Sequence, residues 1–459
     1  MMCFGYSPIN NLRTLLLLTA LVLVHAANCL AAGSGPDAKT RALDLFIRGS
    51  VADVSEDYYR AVFHYQEALR YDSASAFIYV ALAQDYLLLG NPTQAETLLD
   101  RALRKESNYV PALELKSLLE RSAGKIPAAR ETLKKLVQIA PDRVDYLRQL
   151  LALELALENF DEAEKLYQRI STQNEDATLL SRQVLAVYLT SGEFSRAIRL
   201  MNSLLAADSS DDGLVFALGN AYIQIGDTIR GEELILRANR MNMEETRYWI
   251  ARAAIELDRQ NYTQVIRVVD SALVYTRPHA SLFSLKGLSL YRAGLKVESV
   301  PVLWQAIDLD STMFAAMGSL AMVYDELDSV DRAVELYERA IVLSDSAPVY
   351  LNNMAYMWAV RGMELERARN LAAIAVKKEP DNGAYLDTMG WIEFGLGNWD
   401  ESLHWLKKAK DADPSNAATL EHMGDVHWRK GSQKTAMKYY RRALELDPSN
   451  ETLRKKLSL

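Results

Sequence analysis

From residue 42 to residue 450, apolar side chains return every three or four positions in paired runs. The paired runs are broken near the fifteenth residue of a unit by Gly90, Gly124, Gly192, Gly226, Gly294, Gly362, Gly397 or Gly431. That period puts the apolar residues on one stripe of an α-helix, and a glycine can end one helix and turn the chain into the next. The pattern therefore predicts helical hairpins, and it repeats. Pro380, Pro414 and Pro448 are spaced by 34 residues, as are Ala375, Ala409 and Ala443. Units begin at Ala42, Ala76, Val110, Val144, Thr178, Asp212, Thr246, Ala280, Phe314 and Pro348, then, after one inserted residue, at Gly383 and Ala417. The twentieth position is small in every unit but one, from Ala61 and Ala95 through Gly231 to Ser402 and Ala436; Val265 is the exception. The twenty-seventh is mostly alanine. Small residues where paired helices cross let the backbones approach, and bulkier apolar residues fill the groove beside them. No unit can bury its apolar face alone, so stacked neighbours must supply the core.

A 34-residue helix-turn-helix with this Gly/Ala/Pro punctuation resembles the tetratricopeptide repeat (TPR). The resemblance covers nearly all of residues 42–450 and implies an all-α fold, a right-handed α-α superhelix of about twelve repeats. Within residues 351–425 stand L-N-N-M-A-Y, R-G-M-E-L-E-R-A, P-D-N-G-A-Y-L-D-T-M-G-W-I-E-F and L-E-H-M-G-D-V. This block is similar to one shared by many exported bacterial TPR proteins, and it implies a cell-envelope address. Residues 451–459 follow as a short C-terminal capping helix with Leu453 and Leu457 on its apolar side. So short a cap leaves apolar surface on the last unit for a partner, or for self-association with a second copy.

Residues 1–32 differ from the rest. Arg13 precedes an apolar run over residues 15–24, and small residues follow through Ala32, which is the grammar of a secretory signal peptide. The run is short for a membrane span. Residues 33–41, opening Gly33-Ser34-Gly35-Pro36, read as a flexible linker. Both cysteines, Cys3 and Cys29, fall in the leader, so the mature chain is expected to have no disulfide, Cys-based zinc site or Cys nucleophile. Cys29 stands where a bacterial lipoprotein carries its lipidated cysteine. Cleavage after Cys29 or Ala31 and a membrane tether through Cys29 remain two alternatives for an exported protein, periplasmic or associated with the outer membrane.

The chain of 459 residues carries 52 Lys and Arg against 60 Asp and Glu, a net charge of -8. That balance argues against a general nucleic-acid binder, which needs excess cations to displace counterions. Charge is uneven, however: Arg429, Lys430, Lys434, Lys438, Arg441, Arg442, Arg454, Lys455 and Lys456 crowd the C-terminus against Glu445, Asp447 and Glu451. A basic end suits an acidic partner or anionic lipid, and equally a solvated helix face.

In TPR superhelices, positions 2, 5, 6, 9, 12 and 13 of each first helix line the inner groove. In the last three units the resemblance assigns to that groove Asn352, Asn353, Tyr356, Asp387, Trp391, Phe394, Glu421, His422, Asp425, Trp428 and Arg429. Aromatic rings beside amides and charges suit a peptide or helical ligand: rings bury area at low entropic cost, and amides can satisfy a peptide backbone. Packing between units is the competing role for Trp391, Phe394 and Trp428. Asn220 sits where carboxylate-clamp TPR domains carry asparagine, but Phe216 replaces the basic residue that clamp needs. No phosphate-binding loop, dinucleotide fingerprint, H-E-x-x-H or G-x-S-x-G element occurs. His422 and His427 are five apart, which does not put them on one helix face as a metal pair. The expectation is a non-enzymatic scaffold with no cofactor, metal or catalytic residue, which binds other proteins. The alternative is a tethered interaction subunit of an envelope-polymer export or secretion machine.

Overall fold

The computed structural model describes residues 37–173 and 177–458, and these contain 25 α-helices and no strand. The leader and Cys29 lie outside the described residues. First helices begin at Ala76, Val110, Val144, Asp212, Thr246, Ala280, Phe314, Pro348, Gly383 and Ala417, the residues at which the repeat register starts. Two begin early: the fifth at Ala177, and the first at Ala38, inside the stretch read as linker. The reason for the latter is local. Asp37 caps the helix by accepting the Thr40 amide at 2.8 Å, so the last part of that stretch is helical instead of extended. The inserted residue of the Pro348 repeat lengthens its first helix, Pro348–Arg361, to 14 residues against 13 in the next two repeats.

The helices divide into two compact units, one ending at Ser191 and one starting at Gly192. In the first unit the twentieth and twenty-seventh positions, Ala61, Ala68, Ala95, Ala102 and Ala129, have no exposed surface. Tyr65 lies flat over Gly49, where an added Cβ would come within 2.5 Å of its ring, and its hydroxyl donates to Ser50 at 3.2 Å. The second unit carries a continuous core from Leu303 through Met317, Leu336 and Trp358 to Ile392. At the eighth position of its first helices a glycine meets a bulky residue of the paired helix: Gly287 meets Leu303, Gly390 meets Leu406 and Gly424 meets Tyr440. At another crossing Gly219 lies over Gly231, and there neither residue has room for a Cβ.

The hairpin turn always needs a left-handed residue. The glycines of the sequence pattern adopt φ between 63 and 86°, and where no glycine stands, Glu56, Glu158, Gln260 and Asp328 adopt φ of 57–60°. L-residues are disfavoured there by roughly 1–2 kcal/mol, because the Cβ crowds the following carbonyl. Replacing Glu158, Gln260 or Asp328 with glycine is therefore expected to stabilise its repeat by about 1 kcal/mol, less the entropy a glycine adds to the unfolded chain. Calorimetry showing no rise in melting temperature for the triple variant would count against this. Between repeats a second turn recurs at the thirty-first position. Asp310, Asp413 and Asp447 accept the amide two residues on, from Thr312 at 2.9 Å, Ser415 at 3.0 Å and Ser449 at 3.2 Å.

Candidate functional site

In the second unit the first helices Phe314–Glu326, Pro348–Arg361, Gly383–Gly395 and Ala417–Arg429 pack side by side as well as against their own second helices. Their fifth, sixth and ninth positions therefore come together along one face. Tyr356 stands on it at 40% exposure. Partial burial raises its hydroxyl above the ordinary phenol range, and the carboxylates of Asp387, Glu421 and Asp325 add to the shift. These carboxylates come from three other repeats, so the face is continuous, and each has a basic partner beside it: Arg361 for Asp325, His422 for Asp387 and Lys456 for Glu421.

Beside Tyr356 the side chains are locked. Asp387 and His422 are buried, and the imidazole Nδ1 lies 3.1 and 3.0 Å from the two carboxylate oxygens. A carboxylate only accepts, so Nδ1 carries the proton and donates. Trp391 stacks on the imidazole with centroids 4.2 Å apart and on Phe394 at 4.8 Å. The result is a half-buried aromatic plate held from beneath by a histidine hydrogen-bonded to a buried carboxylate. Asn352 is buried, and Asn353 directs its amide at the Met322 sulfur at 3.8 Å. Asn353 and Trp391 are both half-buried on this face.

One turn further, Glu421 and Asp425 already have a partner. Lys456, from the terminal helix Glu451–Leu457, donates to Glu421 at 2.8 Å and to both Asp425 oxygens at 2.7 and 2.8 Å. Burial alone would favour its neutral amine, but the hydrogen bonds it donates to Asp425 and Glu421 outweigh that and hold the ammonium above the usual lysine range. Tyr440 donates to Asp425 at 2.8 Å, and Asn450 to Glu421 at 3.3 Å. Trp428 is half-buried against the terminal core, and Arg429 is exposed. Lys456, Tyr440 and Asn450 were not among the groove residues expected from sequence. The register held a signal for the first, since Lys456 follows Glu421 by 35 residues, as His422 follows Asp387.

Elsewhere Phe216 packs on Tyr248 at 4.7 Å, away from any clamp role. His427 stacks on Tyr439 at 5.4 Å, and burial, with Lys430 nearby, lowers its imidazole below the ordinary range. Among the described residues no group of three or more His, Cys, Asp or Glu side chains could hold a metal ion. No helix among them is long and apolar enough to cross a membrane.

Two family models match this chain. A tetratricopeptide-repeat model matches residues 80–144 and 388–451, and a model of the N-terminal TPR repeats region of Psidin matches residues 255–392. Tetratricopeptide repeat protein 21A of Mus musculus is 23% identical over 258 residues, 55% of this chain and 19% of that protein. Cellulose synthase operon protein C of Pseudomonas fluorescens (strain SBW25) is 23% identical over 393 residues, 82% of this chain and 28% of that protein. The chain thus spans less than a third of the length of either curated relative. Among solved structures, the APC/C hetero-tetramer Cut9–Hcn1 aligns over 91% of this chain and 96% of its own, at 15% identity and a TM-score of 0.48. Paired helices in 34-residue register, small residues at their crossings and the repeat models at both ends lead to one family: the chain is a tetratricopeptide-repeat protein.

Proposed function

We propose that this protein is an exported, non-enzymatic scaffold of the bacterial cell envelope that holds a peptide or helical segment of another protein along the first helices of its last three repeats. Tetratricopeptide arrays generally serve to bind other proteins, and the site chemistry here suits binding better than catalysis. The observation that carries the reading is the plate of Trp391 on the Asp387–His422 pair, with the exposed ring of Tyr356 beside it. Rigid aromatics that lose little entropy on contact make an anchor for a partner's apolar side chains. The signal-like leader supports export, to the periplasm or the outer-membrane surface.

A second reading is favoured by the likeness to cellulose synthase operon protein C over 82% of this chain. On it, the protein is an interaction subunit of an envelope-polymer export machine, tethered through Cys29. Metabolic labelling with a lipid analogue separates the two, because only the tethered form incorporates it.

The groove is tested by a Tyr356→Ala/Trp391→Ala variant in affinity capture from crosslinked cells. The expected result is loss of the captured partners with the helical circular dichroism retained. An unchanged set of partners would reject the groove.

A further inference from the structure

A cavity of about 360 Å³ opens within the second unit between the second helices Lys296–Leu309 and Val330–Leu343, and it shares no residue with the groove. Trp304, Tyr324, Arg332, Glu335 and Leu336 line it. Tyr324 and Leu336 are buried, Trp304 is half-buried, and Arg332 and Glu335 are exposed. The Trp304 indole donates to the Tyr324 hydroxyl at 3.1 Å, and the phenol proton has no acceptor among the described residues. In the repeats that begin at Asp212, Phe314 and Pro348, an arginine of the second helix lies over the ring at the eleventh position. Arg230 stands over Tyr222 at 5.8 Å, Arg332 over Tyr324 at 5.4 Å and Arg367 over Trp358 at 4.9 Å. Two of these cations are neutralised: Asp227 lies 3.5 Å from Arg230, and Glu338 and Glu364 each lie 3.7 Å from Arg367. Around Arg332 the register puts Ser329 where Asp227 and Glu364 stand, and Trp304 where Glu338 stands. Its guanidinium therefore forms no ion pair among the described residues.

The geometry points to a binding site for a carboxylate carried on an apolar body, either a free acid or the C-terminus of a peptide that ends in a hydrophobic residue. The ligand's carboxylate takes the place of the one that the register omits. Arg332 offers it the planar fork of a guanidinium, and the spare Tyr324 O–H offers a further donor. Trp304 and Leu336 supply apolar contact for the body, and the indole, already tied to Tyr324, loses little freedom when it is covered. Glu335 sets the charge the cavity tolerates: a single negative charge is balanced by Arg332, whereas a doubly charged phosphate meets its repulsion as well. This site goes beyond the scaffold reading and does not depend on it.

The test is isothermal titration calorimetry on the full chain with two probes, N-acetylphenylalanine and a short alanine peptide ending in phenylalanine, each as the free acid and as the amide. At least one acid should bind about tenfold more tightly than its amide, the worth of one charge-assisted hydrogen bond. Which acid does so identifies the source of the carboxylate. Arg332→Gln, an exposed change that leaves the core intact, should remove the preference for the acid. Trp304→Glu, which restores the carboxylate that Glu338 supplies in the next repeat, should remove it too by pairing with Arg332, with the helical circular dichroism retained. Equal binding of acid and amide would overturn the inference, as would no binding of either acid at millimolar concentration. A preference that survives Arg332→Gln, or displacement of the acid from the unaltered protein by inorganic phosphate, would also overturn it. Tyr356→Ala/Trp391→Ala should leave the binding unchanged, so failure of the groove and failure of this cavity are distinguishable.

Discussion

Gly231→Ala should destabilise the unit that begins at Gly192 by about 2–3 kcal/mol, although the same change on an exposed helix would stabilise it by roughly 1 kcal/mol. The reversal of sign comes from the crossing of the helices Asp212–Gln224 and Thr228–Met241. A Cβ at Gly231 would lie 2.8 Å from the Gly219 carbonyl oxygen, 3.1 Å from the Ile223 amide nitrogen and 2.5 Å from the Ile223 Cγ1. The Ile223 side chain can rotate away, but the two backbone atoms can move only if the helices separate. Separation would loosen the packing of Ile235 and Ala238 as well, both nearly inaccessible. Valine should be worse than alanine. Gly213→Ala is the control, because its Cβ would meet nothing closer than 3.4 Å and should be neutral or mildly stabilising. Because repeat arrays unfold by parts, hydrogen exchange is the better readout, with protection falling first in those two helices. A Gly231→Ala protein as protected as the unaltered one would show that the crossing has slack.

His422→Ala should cost roughly 3 kcal/mol and disable the proposed groove at the same time. Asp387 is 7% exposed and its carboxylate oxygens lie 3.0 and 3.1 Å from the His422 ring. Removing the ring leaves a buried carboxylate without this partner, which is more damaging than losing an exposed ion pair. It also takes away the surface on which Trp391 stacks. The double variant Asp387→Ala/His422→Ala should recover part of the loss, because no charge is then left buried, and the coupling from that cycle measures the pair. If His422→Ala unfolds within about 0.5 kcal/mol of the unaltered protein, the pair is not the support argued here.

These two sites were not equally legible in the sequence. The twentieth-position small residue that includes Gly231 stands out because it recurs every 34 residues, and the crossing it permits lies inside one hairpin. Its opposite number, Gly219, belongs to the less regular eighth position, where Leu151 and Leu185 also occur, so the tightness of this one crossing could not be read from spacing. The groove residues of the last repeats were named from their positions, but position does not say what a side chain touches. Asp387 and His422 turn to each other, and Glu421 and Asp425 turn to Lys456. Of the expected aromatics, Tyr356 offers its ring to solvent while Trp428 is half-buried in the terminal core.

What the amino-acid order determined by itself is the helical hairpin and its phase. Each hairpin closes within 34 residues, through a left-handed turn and a small residue at a crossing, and such short-range requirements leave a periodic mark. What only the tertiary structure decided is the division between Ser191 and Gly192, the hidden Asp387–His422 pair and the lysine that fills the acidic pocket. Those depend on which side chains of successive repeats meet when the helices stack. Burial and charge pairing between repeats are settled by distance in space; the shared 35-residue offset of Asp387–His422 and Glu421–Lys456 marks which positions can meet, and the packing decides whether they do.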